Sequence, residues 1–309
     1  MWKAFLFAFL LASGALLGAP AQAGPREDLL ATPDWLQAHL ADKNLVILHV
    51  GTEKGYSQGH IPGARLVKGP DDLLSVNANG LSMEVPPPEV LRAKLEALGI
   101  SDDSRIVVYN EGDAFQLGAR VIFNLVVAGF GDRSQILDGG PKTWKKTGHA
   151  TTTETAEIIP GHLAPLKMQP LVVDAGFVQN HAEAPGYDLI DAREGILYGG
   201  PLVQLDVFGL IPSWFGETDG HIPGAKSLPF TSVVDVEGKL KSPGELKTLF
   251  SHAGYKPGDH VIAYCHIGRK AGSIVFAART LGMDVTLYDG SIEDWTQRHL
   301  PVETSASPD

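Results

Sequence analysis

Cys265-His266-Ile267-Gly268-Arg269-Lys270 sets the only cysteine of a 309-residue chain directly ahead of a glycine and two cations. An apolar, β-branched run, Val261–Tyr264, leads into the cysteine, and a helical stretch begins at Ala271. A loop between a strand and a helix can curl so that several backbone N–H groups face one atom. The start of the following helix adds the positive end of its dipole. With His266, Arg269 and Lys270 contributing positive charge, the setting favours thiolate over thiol at Cys265. A thiolate is a nucleophile that needs no separate general base. A lone cysteine is more often a buried, inert residue, but cationic flanks and a strand–loop–helix setting are unusual for that role.

The elements that position this loop occur twice. Gly59-His60-Ile61-Pro62-Gly63-Ala64 returns as Gly220-His221-Ile222-Pro223-Gly224-Ala225. Asp138-Gly139-Gly140 with Trp144 returns as Asp289-Gly290-Ser291 with Trp295 at the same spacing. Such self-similarity in a fixed order marks a duplicated domain. The pattern predicts buried parallel strands at Val46–Val50, Arg105–Tyr109 and Gln135–Leu137, then at Leu189–Asp191, Val261–Tyr264 and Val285–Tyr288. Helices are predicted at Pro88–Leu98, Leu117–Ala128, Ser242–His252 and Ala271–Leu281, with glycines 99, 129, 254 and 282 just beyond them as left-handed caps. Alternating strands and helices give an α/β fold, each copy a parallel sheet with helices on both faces. The expected layout is a leader over 1–23, a first domain over 24–150, a Thr/Pro-rich linker over 151–170 and a second domain over 171–305.

Duplication also serves as an internal control. Features in both copies serve the fold; a feature in one copy is a functional candidate. On that rule His60 and His221 are structural, their imidazoles bonded to backbone around the His-Ile-Pro-Gly turn, and so are the Asp-Gly and Trp positions. The loop after Tyr264 differs. Where copy two has Cys265 and cations, copy one reads Asn110-Glu111-Gly112-Asp113. Copy one is therefore expected to be inactive scaffold.

Composition narrows the partners. The hydrophobic fraction is 44% and the charged fraction 20%, as in ordinary globular chains. A net charge of −11 argues against nucleic acid, which needs a basic surface. One cysteine excludes an internal disulfide framework and Cys-rich metal sites, and no metal, nucleotide or organic cofactor pattern is found. Met1-Trp2-Lys3, an apolar run from Ala4 to Ala19 and Ala21-Gln22-Ala23 have the layout of a secretory signal peptide cut after Ala23. The expected compartment is a bacterial periplasm, with no membrane span in the mature chain.

The paired Gly-His-Ile-Pro-Gly-Ala turns, Asp191-Ala192-Arg193, Cys265-x-x-Gly268-x-Lys270 and Asp289-Gly290-Ser291…Trp295 together resemble a tandem-domain rhodanese sulfurtransferase, over the whole mature chain. The resemblance implies two rhodanese-like domains, the second catalytic, and ping-pong chemistry. Cys265 would take a sulfane sulfur from a donor, typically thiosulfate, and pass it from a persulfide to cyanide or a thiol, small or protein-borne. Substrate binding would fall to Arg193, His266, Ile267, Gly268, Arg269 and Lys270. Arg193 would face the substrate anion from a strand end; a surface salt bridge is its plainer role. Arg269 and Lys270 suit a compact dianion, and the small hydroxylated loop residues of mercaptopyruvate-preferring members are missing. The loop also departs from the commoner Cys-Arg-Lys-Gly-Val-Thr form, so 3-mercaptopyruvate stays an alternative donor. A cysteine phosphatase would carry arginine where Ala271 stands, in a loop one residue longer. The remaining alternative is a non-enzymatic sulfur- or anion-binding module. The apolar stretch 199–217 has no counterpart in copy one and reads as packing against copy one or as a pocket rim.

Overall fold

The computed structural model describes residues 25–75, 80–198 and 220–304. Copy one runs α1 (Pro25–Leu29), β1 (Leu30–Ala31), α2 (Pro33–His39), β2 (Leu45–Val50), α3 (Glu53–Gln58), β3 (Ala64–Val67), α4 (Pro88–Ala97), β4 (Arg105–Asn110), α5 (Phe115–Leu125), β5 (Ser134–Leu137) and α6 (Gly140–Lys146). Copy two runs β6 (Val172–Val173), α7 (Ala175–His181), β7 (Tyr187–Asp191), α8 (Gly195–Tyr198), β8 (Lys226–Ser227), α9 (Pro243–His252), β9 (His260–Tyr264), α10 (Ala271–Thr280), β10 (Val285–Tyr288) and α11 (Ser291–Gln297). The two five-stranded sheets have matching orders, β1-β5-β4-β2-β3 and β6-β10-β9-β7-β8, and every pairing is parallel.

Both faces of each sheet are covered, which explains why the strands are mainly apolar rather than alternating. In copy one, alternate residues Val46, Leu48 and Val50 join Leu91 and Leu95 of α4 in one core, while Ile47 and Val107 pack with Leu36 of α2 and Trp144 of α6 on the other face. In copy two, Val261 and Ala263 pack with Leu246 and Phe250 of α9, while Leu189 and Ile262 face Val178 of α7 and Trp295 of α11. The first core is common to both copies. α5 and α10 meet with Phe115 against Phe276 at 5.8 Å, and a Cβ on Gly272 would lie 3.1 Å from the Arg120 Cα. A side chain there would press the two helices apart by a few tenths of an ångström.

The six expected strands are present, lengthened by at most two residues. Four further strands, β1, β3, β6 and β8, are two to four residues long, too short to carry a period. Ser242 caps α9 with Glu245 in a capping box. The helix expected through Ala128 ends at Leu125 and continues as a π-type turn over Val126–Phe130, where Gly129 takes the left-handed conformation at φ +93. Residues 153–171 form neither helix nor strand. They lie along copy one: the Gly161 N–H donates to Glu96 O (2.7 Å), the Gln169 N–H to Val127 O (2.7 Å), and Leu163 is buried.

The two His-Ile-Pro-Gly turns match the structural expectation. The His60 Nδ1 lies 2.7 Å from the Tyr56 carbonyl and the His221 Nδ1 3.0 Å from that of Tyr198, each ring stacked on the same tyrosine. The leader (1–23) and the 199–217 stretch lie outside the described residues. Among the described residues no helix is long and apolar enough to cross a membrane.

Candidate active site

β9 is the middle strand of the second sheet, flanked by β7 and β10, and Cys265 follows its last residue. The chain leaves β7 toward one edge and returns on the other side, so Cys265 stands at the carboxyl end of the sheet beside its switch point, where α/β folds bind ligands.

The loop from Cys265 to Lys270 is tied at five backbone atoms. The N–H groups of Cys265 and Gly268 both donate to Ser291 Oγ (3.1 and 3.0 Å), and the Ser291 hydroxyl donates to Tyr288 O (2.8 Å). The carbonyls of Cys265 and His266 accept the N–H groups of Ile292 (3.2 Å) and Glu293 (3.1 Å) at the start of α11. The Gly268 carbonyl accepts from Arg120 Nη1 (3.1 Å). In a trans peptide, a carbonyl and the following N–H point in opposite directions. The amides of His266, Ile267 and Arg269 are therefore turned away from α11 and Arg120. Gly268 itself sits at φ +74, and a Cβ there would come within 2.7 Å of Arg120 Nη1 and 2.5 Å of Asp289 Oδ1.

The charges are more balanced than the sequence suggests. Lys270 Nζ donates to both oxygens of Glu194 (2.6 and 2.7 Å) and lies 5.0 Å from the Phe230 ring. Arg193 is not at the surface; it is 2% exposed. Its Nε donates to both Asp191 oxygens (3.0 Å each), and its Nη2 donates to Asp191 Oδ2 (2.6 Å) and Gly220 O (2.7 Å). Tyr264 donates to the same carboxylate (2.7 Å). Burial works against the Arg193 charge, but Asp191 more than offsets it, with Tyr264 and Cys265 acting in the same sense, so the guanidinium is held charged. Arg193 is thus within electrostatic reach of the cysteine, as part of a neutralised pair. Arg269 is part exposed and makes no side-chain hydrogen bond or ion pair among the described residues.

His266 departs from expectation. Burial, then the charges of Arg193 and Lys270, lower its pKa to about 4, so it is neutral at pH 7 and adds no positive charge. His49, which pairs in register with Tyr109 as Asp191 pairs with Tyr264, is also lowered to about 4, chiefly by burial. For both, the unfolded chain binds more protons between pH 6.5 and 4, so the stability they contribute is complete above 6.5 and is lost as the pH falls toward 4. The melting temperature should drop between pH 7 and 4.5, and His266→Asn should flatten that drop. An unchanged acid slope in the variant would mean that His266 protonates freely in the folded protein.

Cys265 is fully buried, whereas reactive thiols are ordinarily part exposed. In copy one the matching loop has no cation. Asn110 donates from Nδ2 to Gly112 O (2.9 Å), and Glu111 Oε2 accepts from the Thr52 N–H (2.7 Å) and hydroxyl (2.9 Å). A Cβ on Gly51, two residues after His49 as Arg193 is after Asp191, would meet the Glu111 carboxylate at 2.6 Å.

Three residues of the site escaped sequence reasoning. Ser291 differs from its counterpart Gly140, a difference the internal control would have flagged. Asp289 reads as a fold residue because Asp138 repeats it, yet it accepts from Arg120 Nη1 (2.5 Å) beside the loop. Arg120 left no local signal, because it comes from the other copy.

The Rhodanese-like domain family matches residues 32–147 and 174–298. The chain belongs to the rhodanese-like family. It is 31% identical over 288 residues to a probable 3-mercaptopyruvate sulfurtransferase of Pseudomonas aeruginosa, covering 89% of this chain and 98% of that one. It is 29% identical over 256 residues to the thiosulfate sulfurtransferase of Rattus norvegicus, covering 82% of each. The crystal structure of the 3-mercaptopyruvate sulfotransferase SseA from Escherichia coli superposes with a TM-score of 0.71 at 27% identity, covering 85% of this chain and 98% of that one. A complex of EanB with ergothioneine gives 0.79 at 21% identity, covering 94% of this chain and 73% of that one, a likeness of fold. Rhodanese-family relatives named for either donor are sulfurtransferases, and the chain takes its place among them.

Proposed function

We propose that the chain transfers sulfane sulfur from thiosulfate to cyanide or a thiol through a persulfide on Cys265. The observation that carries this reading is the cysteine loop itself. Three of its carbonyls are tied outward at the head of the ten-residue helix α10, leaving three amides turned the other way, a nest suited to an anion. The Cys265 thiolate attacks the outer sulfur of thiosulfate. A cysteine–sulfur bond forms, the sulfur–sulfur bond of the donor breaks, and its electron pair leaves with sulfite. Cyanide then attacks the terminal sulfur of the persulfide, and thiocyanate departs as the thiolate is restored. Arg269 and the turned amides take the donor's charged oxygens, with Arg193 and Lys270 as paired cations behind them.

One observation favours 3-mercaptopyruvate as a second reading. The pairs Arg193–Asp191 and Lys270–Glu194 leave less net positive charge than a dianion would use. The exported destination is part of the same proposal and rests on residues 1–23. Intact mass tests the reading. Protein recovered from the periplasm should have the mass of residues 24–309 and should gain one sulfur atom with thiosulfate, lost again on adding cyanide. No gain with either donor would leave a binding module. Steady-state rates with the two donors decide between them. For thiosulfate, Arg269→Ala should raise KM about tenfold, the equivalent of one charge-assisted hydrogen bond, and should raise it less for mercaptopyruvate. Equal losses for both would assign Arg269 to loop folding.

A further inference from the structure

The expectation that copy one is inert scaffold meets an obstacle at Arg120. This residue belongs to α5 of copy one, and it is fully buried. Its Nη1 donates to Gly268 O (3.1 Å) and to Asp289 Oδ1 (2.5 Å), both in copy two, and its Nη2 donates to Met83 O (2.9 Å). None of these acceptors lies in its own helix. Burying a guanidinium is costly, and among the described residues its Nε has no hydrogen-bond partner. The corresponding helix of copy two carries its only arginine, Arg279, in the last turn, away from the loop. A feature in one copy alone is the kind the duplication marks as functional.

The surroundings extend the same connection. The Val85 N–H of copy one donates to Asp289 Oδ2 (2.8 Å). The Ser82 N–H and hydroxyl donate to the Glu293 carboxylate (2.9 and 3.2 Å), and Glu293 supplies the N–H that holds the His266 carbonyl. Copy one therefore holds both ends of the 289–293 segment, whose Ser291, Ile292 and Glu293 tie the cysteine loop.

We propose that Arg120 is a positioning residue for Cys265. By holding the Gly268 carbonyl it fixes the 268–269 peptide plane, which aims the Arg269 N–H into the anion nest. Without it, that plane is free to turn and the nest loses one of its three amides. The site of copy two is then incomplete without copy one. The reading rests on Cys265 being the sulfur carrier.

The test uses the full chain with Arg120→Lys and Arg120→Ala. Lysine keeps the charge beside Asp289, but its single nitrogen cannot reproduce the planar fork that reaches Gly268 and Asp289 from Nη1 and Met83 from Nη2. The rate of Cys265 alkylation by iodoacetamide is measured against pH, alongside the melting temperature and thiosulfate turnover. The lysine variant should melt close to the parent. Its alkylation profile should shift to higher pH, and its turnover should fall about tenfold, as for one lost charge-assisted hydrogen bond. Free guanidinium should restore part of the loss in the alanine variant and none in the parent. A folded lysine variant with the parental alkylation profile and turnover overturns the proposal. So does failure of both variants to fold, since the role would then be structural alone. The alkylation profile needs no sulfur donor. Parent protein that never gains sulfur would refute the sulfur-transfer reading while the profile still reports on Arg120.

Discussion

Cys265→Ser should abolish sulfur transfer, lowering turnover by at least about 10⁴-fold, the scale seen when a covalent nucleophile is removed. The chain has no second cysteine to take over the role. A serine hydroxyl does not ionise near neutrality, so the loop that favours a thiolate has nothing to act on. The fold should survive. The position is fully buried, the change is one atom in size, and the ties at Cys265, His266 and Gly268 run through backbone atoms rather than the thiol. The melting temperature of the variant should therefore stay within a few degrees of the parent, and its mass should not change with thiosulfate. Turnover above background in the folded variant would place the sulfur carrier elsewhere.

The sheets were legible because their strands are buried on two faces. Val46–Leu48 and Val261–Tyr264 are continuous apolar runs, and glycines 99, 129, 254 and 282 mark where helices stop. The short edge strands were not legible, since two residues such as Val172–Val173 carry no periodicity. The cysteine loop was legible for a different reason: its residues are adjacent in sequence. What surrounds the loop is not. Glu194 is 76 residues from Lys270, and Arg120 is 148 from Gly268. Of the charges read from the sequence as a positive cradle, Lys270 is paired by a carboxylate at a distance no local pattern encodes. The same holds for His266, whose neutrality follows from burial and two neighbouring cations that only the fold supplies.

Duplication separates shared residues from unshared ones but conceals a change of task at a shared position. Asp138 and Asp289 occupy the same motif, yet burial raises the pKa of Asp138, with one of its oxygens unpartnered among the described residues, while Asp289 is paired with Arg120. A shared residue kept its place and changed its task. Conversely, Gly140 and Ser291 share a backbone conformation, both at φ +53, but not a residue.

That last pair yields the second large effect. A non-glycine residue at φ +53 is strained by roughly 1 kcal/mol or more, which copy one avoids with glycine and copy two accepts. The Ser291 hydroxyl explains the difference, since it accepts two loop N–H groups and donates to Tyr288 O. Ser291→Ala keeps the strain and strands three buried backbone groups, each costing about 1–3 kcal/mol unless water reaches it. It should be destabilised by about 3 kcal/mol and lose about 10²-fold in turnover, because the sulfur is displaced from its working geometry. Ser291→Gly strands the same groups but releases the strain. It should be about 1 kcal/mol more stable than the alanine variant, and no more active. Denaturant midpoints and turnover of the two variants decide the matter. Were alanine the more stable, the left-handed backbone at 291 would not be the cost that the hydroxyl offsets. Were both fully active, Ser291 would hold the loop without shaping the nucleophile.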